Sequence, residues 1–480
     1  MTRLIVGPFN RVEGDLELTL DIAEGRVAQA RVATTLYRGF EQILVGRLAA
    51  DALTIAPRIC GICSLSQSMA AAAALRGISG VQPPPNGVLA ANIAHAAENI
   101  ADHLTHFYLF FMPDFARASY AGEGWFAPVA ARFTAVSGAA AQEVLPARAR
   151  LLHVMGLIAG KWPHSLAIQP GGVTRALDLG EKMRLIAILS DFRAFLERSL
   201  FAAPLEQVAA IATPEQLADF SQGQGDFAAF LRVAESLRLE TLGAVALPLI
   251  SFGAYHSAQG ALFPAGLFDP GASEARPLPI GAIGEDVAFS YMRDSAADPA
   301  RSVTQPDADR ENAYSWAKAP RLSGEPAETG AVARQAVAGD PLIRALIAQA
   351  GGTNVFVRVV ARVIEIARLA LAAEGWAREI RLKESFSEHG PAPLHGESIG
   401  MVEAARGALG HWLSVEKGVI QRYQIVAPTT WNFSPRDARG VPGPLEQALV
   451  GVDVGAAGAK APVIQHVVRS FDPCMVCTAH

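Results

Sequence analysis

The sequence predicts a mainly α (α+β) fold: a core of long helices in a bundle, with small β-hairpins or sheets at the periphery. Three observations point there. Polar residues recur one helical turn apart through long stretches of the chain, strict alternation is confined to short runs towards its two ends, and no internal repeat divides the 480 residues. Residues 1–480 are read as a single domain with a β-rich first part (1–60), a helical core (61–260), a loop-rich surface segment (261–340) and a last part of helices and β-structure (341–480).

The elements follow in order. Leu16, Leu18, Leu20 and Ile22 alternate with Asp15, Glu17, Thr19 and Asp21, and Glu24-Gly25 turns the chain into a second short strand through Val32, which makes a hairpin. Ser64–Leu75 is alanine-rich and predicts a helix stopping at Gly77. Polar residues at 92, 95, 98/99, 102 and 105/106 predict a helix over Ala91–Met112, ended by Pro113. Gly180–Phe201 and Val355–Ala373 are amphipathic, the latter with Arg358, Arg362, Glu365 and Arg368 on one face. Residues 264–340 are rich in Pro, Gly, Asp and Ala and read as long surface loops. A second hairpin, Trp412–Val415 to Val419–Val426 around Lys417-Gly418, leads to Pro428-Thr429-Thr430-Trp431-Asn432.

Composition narrows the classes. Hydrophobic residues make up 51% and charged residues 18%, an apolar balance that points to surface buried against a partner. No apolar run reaches the roughly 18–20 residues of a membrane span, and a net charge of −5 gives no reason to expect nucleic acid. The opening Met1-Thr2-Arg3-Leu4-Ile5-Val6-Gly7-Pro8 has neither a signal-peptide layout nor a twin arginine, so a cytoplasmic location is expected.

The four cysteines form two Cys-x-x-Cys pairs, Cys60/Cys63 and Cys474/Cys477, near the two ends of the chain. In a reducing cytosol they read as metal ligands before disulfides. Structural zinc, an iron–sulfur cluster and a nickel site all accept thiolates. Zinc ribbons usually separate their pairs by only about 15–20 residues, whereas these pairs are separated by most of the chain.

The sequences around them, Arg58-Ile59-Cys60-Gly61-Ile62-Cys63 and Asp472-Pro473-Cys474-Met475-Val476-Cys477-Thr478-Ala479-His480, resemble the two signature motifs of [NiFe]-hydrogenase large subunits. The likeness extends to Arg11-Val12-Glu13-Gly14, Arg38-Gly39-Phe40-Glu41, Asp102-His103 with His106-Phe107-Tyr108, Pro163-His164 before Gly171-Gly172, Ala405-Arg406-Gly407 and Pro428-Thr429-Thr430-Trp431-Asn432, in the family's order.

The resemblance implies the fold of those subunits and heterolytic cleavage of H2. It implies that all four cysteines bind nickel, with Cys63 and Cys477 bridging to an iron that carries CO and cyanide. Splitting hydrogen unevenly needs a Lewis acid and a nearby base for the proton. By family analogy the base is the Cys474 thiolate, with Glu13 relaying the proton away. Cys63 stands just before a predicted helix, whose N-terminus would favour a thiolate. Arg406 resembles the arginine over the open metal face, held by the carboxylates of Asp102 and Asp472; Asp114 is the residue that Asp102 could be confused with. Thr429, with Pro428 and Ala405, resembles the residues around an iron-bound cyanide, although Ala405 stands where proline is often found. Glu41, His480 and the Ile425 carbonyl resemble the ligands of a separate magnesium-type ion. His106 and His164 are expected to pack or hydrogen-bond rather than ligate.

With all four cysteines committed, the chain has none left for an iron–sulfur cluster. An iron–sulfur small subunit is the implied partner, in a heterodimer or a dimer of heterodimers. Two departures resemble the cytoplasmic hydrogen-sensing (regulatory) group, for which a signalling histidine kinase is a further expected partner. Gln67 stands where the family usually has histidine, and the gas-channel positions are the bulkier Ile62 and Phe110. The ending at His480 fits a sensor or an already processed chain. An uptake hydrogenase is the alternative, and a non-catalytic scaffold related to the quinone-site subunit of respiratory complex I is the remote one.

Overall fold

The first hairpin forms as expected, with strands Leu16–Ala23 and Arg26–Thr34 joined by Glu24-Gly25, both at positive φ. A computed structural model describes residues 2–480 apart from a few positions between 456 and 460, and adds a strand the pattern did not announce, Thr2–Val6, pairing antiparallel with Leu16–Ala23. The side chains of Leu16, Leu18 and Leu20 are buried, which fixes the register because a slip of one residue would turn them to the opposite face.

The Ser64–Ser79 helix does not stop at Gly77; it ends at Gly80, which adopts the left-handed conformation. Gly77 is required by a crossing. A Cβ there would lie 1.9 Å from Ser398 Oγ, and one on Gly400 would lie 1.9 Å from Ala70 O. The alanine-rich helix thus presses onto the strand His395–Ala404. That strand, also unannounced, pairs with Gly407–Glu416, and the expected Val419–Val426 completes a three-stranded antiparallel sheet.

The Pro85–Thr105 helix begins earlier than expected because Pro85 occupies its first turn, where a missing N–H costs nothing. It continues as a wider π turn, His106–Phe111, before Pro113. The helix Leu179–Phe195 likewise runs into a π turn, Leu196–Leu200. Ile93, Ile100 and Leu104 are buried, at roughly 1.5–3 kcal/mol of burial each.

The Val355–Glu379 helix packs along Pro85–Thr105. Its charged stripe is not a solvated face, since Arg358, Arg362 and Glu365 are all buried. The same period that marks an amphipathic surface helix here marks a helix facing an internal ionic network. Residues 264–340 need a similar correction: long loops dominate up to Trp316, but 317–337 is mostly buried and carries the strand Ala319–Leu322 and the helix Ala331–Val337. The hairpin Leu249–Ser257/Gly260–Phe268 was also not anticipated. The result is a mainly helical fold with small sheets, and no helix is long and apolar enough to cross a membrane among the described residues.

Candidate metal centre

Both cysteine pairs sit where short elements begin or end. Cys60 follows the turn Ala56–Ile59, and Cys63 immediately precedes the Ser64–Ser79 helix. Cys474 precedes the turn Met475–Thr478, which holds Cys477. The four sulfur atoms lie within 4.8 Å of one another and all four residues are buried. Sγ–Sγ distances are 3.5 Å for Cys60–Cys474 and 3.2 Å for both Cys63–Cys477 and Cys474–Cys477, far beyond the roughly 2.05 Å of a disulfide.

Crowding makes this set unhappy alone. Hydrogen bonding from neighbouring thiols, then burial, pushes Cys63 and Cys477 well up, while Cys60 is pulled down by its bonds to the other three. Only a bound cation would let all four be thiolates at once. A soft metal is what this donor set fits.

Two devices join the ends of the chain. Glu13 forms a parallel bridge with Cys474; its carbonyl accepts from Met475 N–H at 2.7 Å, and its own N–H donates to Pro473 O at 3.4 Å. The Arg38 guanidinium donates to the carbonyls of both Ile59 and Val476, clamping the two cysteine segments. Beside Glu13, Gly14 at φ +78° would put a Cβ 3.2 Å from Met475 Cβ, so a side chain there would strain the backbone and crowd the segment that carries Cys474 and Cys477. The Glu13 side chain is half-buried, and its carboxyl is raised by that burial and by Cys60, against the opposing pull of Arg406 and Arg38.

Arg406 occupies a two-residue hairpin turn, since Ala404 pairs with Gly407 across it. The turn projects the guanidinium inward. Its Nη1 bonds Asp102, its Nη2 donates to Asp472 Oδ1 at 3.1 Å and its Nε to Asp472 O at 3.0 Å. Burial alone would lower the pKa of Arg406, but Asp102 and Asp472 hold it well above the ordinary value. Asp472 sits at φ +58°, a conformation that aspartate tolerates better than most residues. Asp114 is elsewhere, with Arg11, Arg117 and Arg469, so Asp102 is the carboxylate at Arg406.

Thr429 Oγ1 accepts from Cys474 N–H at 3.4 Å, leaving its own proton to donate, and Pro428 and Ala405 are buried. The Ala405 carbonyl is taken by Arg334 at 3.0 Å. Ahead of Cys63, the helix does not keep its first amides for the thiolate. Glu98 accepts from Leu65 N–H and Ser66 N–H at 2.7 and 2.8 Å, which removes much of the expected effect on Cys63.

The sequence profile of the family described as Nickel-dependent hydrogenase matches residues 38–124 and 139–480. The chain belongs to that family. It is 28% identical to the periplasmic [NiFeSe] hydrogenase large subunit of Desulfomicrobium baculatum, across 100% of this chain and 95% of that one. It is 27% identical to the hydrogenase-2 large chain of Escherichia coli (strain K12), across 100% and 97%. The solved [NiFeSe] hydrogenase of Dm. baculatum, H2-activated, superposes with a TM-score of 0.87 at 26% identity, each chain covered in full. The protein is an enzyme of hydrogen activation, the large subunit of a nickel–iron hydrogenase.

In this hydrogenase Glu41, Ile425 and His480, the residues expected around a separate cation, lie together. The Ile425 amide N–H donates to Glu41 Oε1 at 2.8 Å. His480 Nε2 is 3.3 Å from Glu41 Oε1 and its Nδ1 is 3.0 Å from Cys477 O. Lys318, which no sequence signal marked, brings its ammonium into the same place.

Ile62 and Phe110, the residues expected to line a gas channel, are both half-buried, Ile62 with its N–H 3.3 Å from Cys60 Sγ and Phe110 in the π turn. Gln67 Oε1 accepts from His411 Nε2 at 2.8 Å, and His411 Nδ1 faces Tyr423 OH at 2.7 Å. Burial pushes His411 down to about 3, so it is neutral and the Tyr423 hydroxyl donates to it. His106 and His164 hydrogen-bond to backbone carbonyls, as expected.

Sequence reasoning missed the buried ions behind Arg406. Arg362 lies 3.6 Å from Asp472, and Arg334 bridges Glu365 and Glu403. The signal for Arg362 and Glu365 was the charged stripe itself.

Proposed function

We propose that this chain is the hydrogen-splitting subunit of a sensing hydrogenase, held in a cytoplasmic heterodimer with an iron–sulfur small subunit. The observation that carries the catalytic part is the bridge that fastens Glu13 to Cys474 at the edge of four buried thiols. Bound by these cysteines, nickel and iron, the latter with CO and cyanide as the family resemblance implies, supply the electrophilic centre at which H2 is polarised. The Cys474 sulfur would receive the proton and the half-buried Glu13 carboxyl, raised above the ordinary carboxylate value by its burial, would pass it outward. Arg406, kept charged by two buried carboxylates, fixes a positive edge over the site and orders it. Thr429, with Pro428 and Ala405, offers the polar and apolar contacts that an iron-bound cyanide would meet. With every cysteine used, the electrons leave through the partner's clusters.

The sensing part rests on Gln67, Ile62 and Phe110. Gln67 is held in a neutral hydrogen-bonded chain with His411 and Tyr423, so it brings no titrating group to the Cys63 helix. Hydrogen–deuterium exchange by the purified heterodimer tests the catalytic part, and absence of exchange in nickel-loaded protein would overturn it. Deleting the gene separates the roles. A sensor predicts loss of hydrogen-induced expression of other hydrogenase genes and of phosphotransfer by its signalling histidine kinase. Loss of hydrogen-dependent growth, with induction intact, would instead make it the uptake enzyme.

A further inference from the structure

We propose that Glu98 is a positioning residue for the metal centre: it caps the helix that Cys63 opens, which leaves the Cys63 sulfur free for metal, and it sets a fixed negative charge behind that residue. This rests on the reading of the four cysteines as a nickel-binding site.

Cys63 occupies the N-cap position of the Ser64–Ser79 helix. A side chain there ordinarily accepts from the backbone N–H of the second or third helical residue, here Leu65 or Ser66. Cys63 makes no such bond. Glu98, on the Pro85–Thr105 helix, takes both amides instead. Its Oε2 accepts from Leu65 N–H at 2.7 Å and its Oε1 from Ser66 N–H at 2.8 Å. The Ser66 hydroxyl adds a bond to Oε1 at 2.8 Å, and Trp162 Nε1–H one to Oε2 at 2.9 Å. A thiolate that capped its own helix would commit lone pairs to those amides; with the amides occupied, the sulfur keeps them for metal. Cys63 is one of the two cysteines expected to bridge nickel and iron, so it has the most use for them. The same turn is held from a second side, where His164 N–H donates to Ser64 Oγ at 2.7 Å.

Glu98 is 1% exposed, and all four of its hydrogen-bond partners are neutral donors. Three of them are N–H groups, which cannot turn round to accept, so the ionised carboxylate is the form that satisfies all four. The Arg148 guanidinium stands over the Trp162 ring, 5.6 Å from its centroid, rather than on the carboxylate. Burial pushes the Glu98 carboxyl up to about 7 despite the donors, so its charge is complete only on the alkaline side of neutrality. A buried carboxylate without a countercharge is costly, and this one is fastened to the second and third residues after Cys63. A fixed negative charge favours the more oxidised state of a nearby metal. A free helix N-terminus would do the opposite, by drawing charge from the thiolate. On both counts Glu98 lowers the reduction potential of the centre.

The test is Glu98→Gln in the heterodimer matured in its native host. Nickel content is measured, and the midpoint potential of the nickel signal is titrated by electron paramagnetic resonance about two pH units above the carboxyl value, where the parent is ionised. Glutamine keeps the shape, but its amide nitrogen cannot accept and it carries no charge. The proposal expects nickel to be retained and the midpoint to move to a more positive potential. A residue that only anchors the helix would lower Tm without moving the potential, so an unmoved midpoint in nickel-loaded Glu98→Gln would overturn the proposal. Glu98→Asp keeps the charge one methylene further back and covers the case in which the glutamine variant fails to hold nickel. It should retain nickel at a midpoint near the parent's. Loss of nickel in both variants, or the same shift in both, would also overturn the proposal. Parent protein without nickel would overturn the metal-site reading itself, and this inference with it.

Discussion

Replacing Glu13 by glutamine should separate proton exit from every structural role of that residue. The contacts that hold it beside the cysteines are main-chain ones, the bonds with Met475 and Pro473, and they survive the substitution. Its carboxyl makes no hydrogen bond to another protein group among the described residues, so stability should change by within about 0.5 kcal/mol. Nickel content and Tm should therefore match the parent. The glutamine side chain cannot titrate, and hydrogen–deuterium exchange should fall by at least about 10²-fold, the lower end of general acid–base contributions, or roughly 2.7 kcal/mol of barrier. The assay is mass-spectrometric exchange under hydrogen in deuterated buffer, normalised to nickel. Exchange near the parental rate with full nickel would refute the assignment of Glu13 and require another exit. Loss of nickel would show that the side chain is structural.

Asp472→Asn leaves the Arg406 and Arg362 guanidinium groups, both buried, against Asp102 alone. It should cost about 3–5 kcal/mol, as for a broken buried pair, and unfolding curves showing a loss below about 1 kcal/mol would contradict the network described. Asp114 gives a pH prediction. Burial alone would raise its carboxyl, but the nearby His466, with Nδ1 3.6 Å away, and the charges of Arg469 and Arg11 hold it well below the ordinary range. Its stabilisation is thus fully present above the unfolded carboxylate value of about 4 and is lost as pH falls below it. Asp114→Asn should flatten the acid limb of Tm against pH and lower Tm at neutral pH; an unchanged acid limb would remove Asp114 from the account. Ile62→Val with Phe110→Leu should cost about 1–3 kcal/mol, keep hydrogen oxidation under argon and make activity decay in air. Equal oxygen resistance in parent and double variant would show that these side chains do not limit access.

Much of the site was legible because its chemistry is local in sequence. Cys-x-x-Cys at each end, the Arg-Val-Glu-Gly strap and the Ala-Arg-Gly turn each carry both the reactive group and the backbone geometry that aims it. Gly407, which follows Arg406, could hold no other residue without striking Thr329 Oγ1 at 2.3 Å. The buried ions were harder to see. Helical period tells which face of Val355–Glu379 is polar but not whether that face meets water or Arg334 and Asp472. Lys318, a lone lysine between two alanines in a loop-rich stretch, offers no pattern at all; only the tertiary fold brings it to Glu41. Gly77 misled for a related reason, because a glycine needed for close approach looks the same as one that ends a helix. The unannounced strands Thr2–Val6 and His395–Ala404 complete sheets whose other strands were anticipated, and their pairing is a long-range matter.

Elemental analysis of the chain matured in its native host, set beside the same analysis of Cys477→Ser, bears most directly on the four-thiolate centre. Four buried sulfur atoms within 4.8 Å predict about one nickel per chain, with iron, and loss of nickel and of hydrogen oxidation when one ligand is removed. Stoichiometric zinc with no nickel in the parent protein would contradict it.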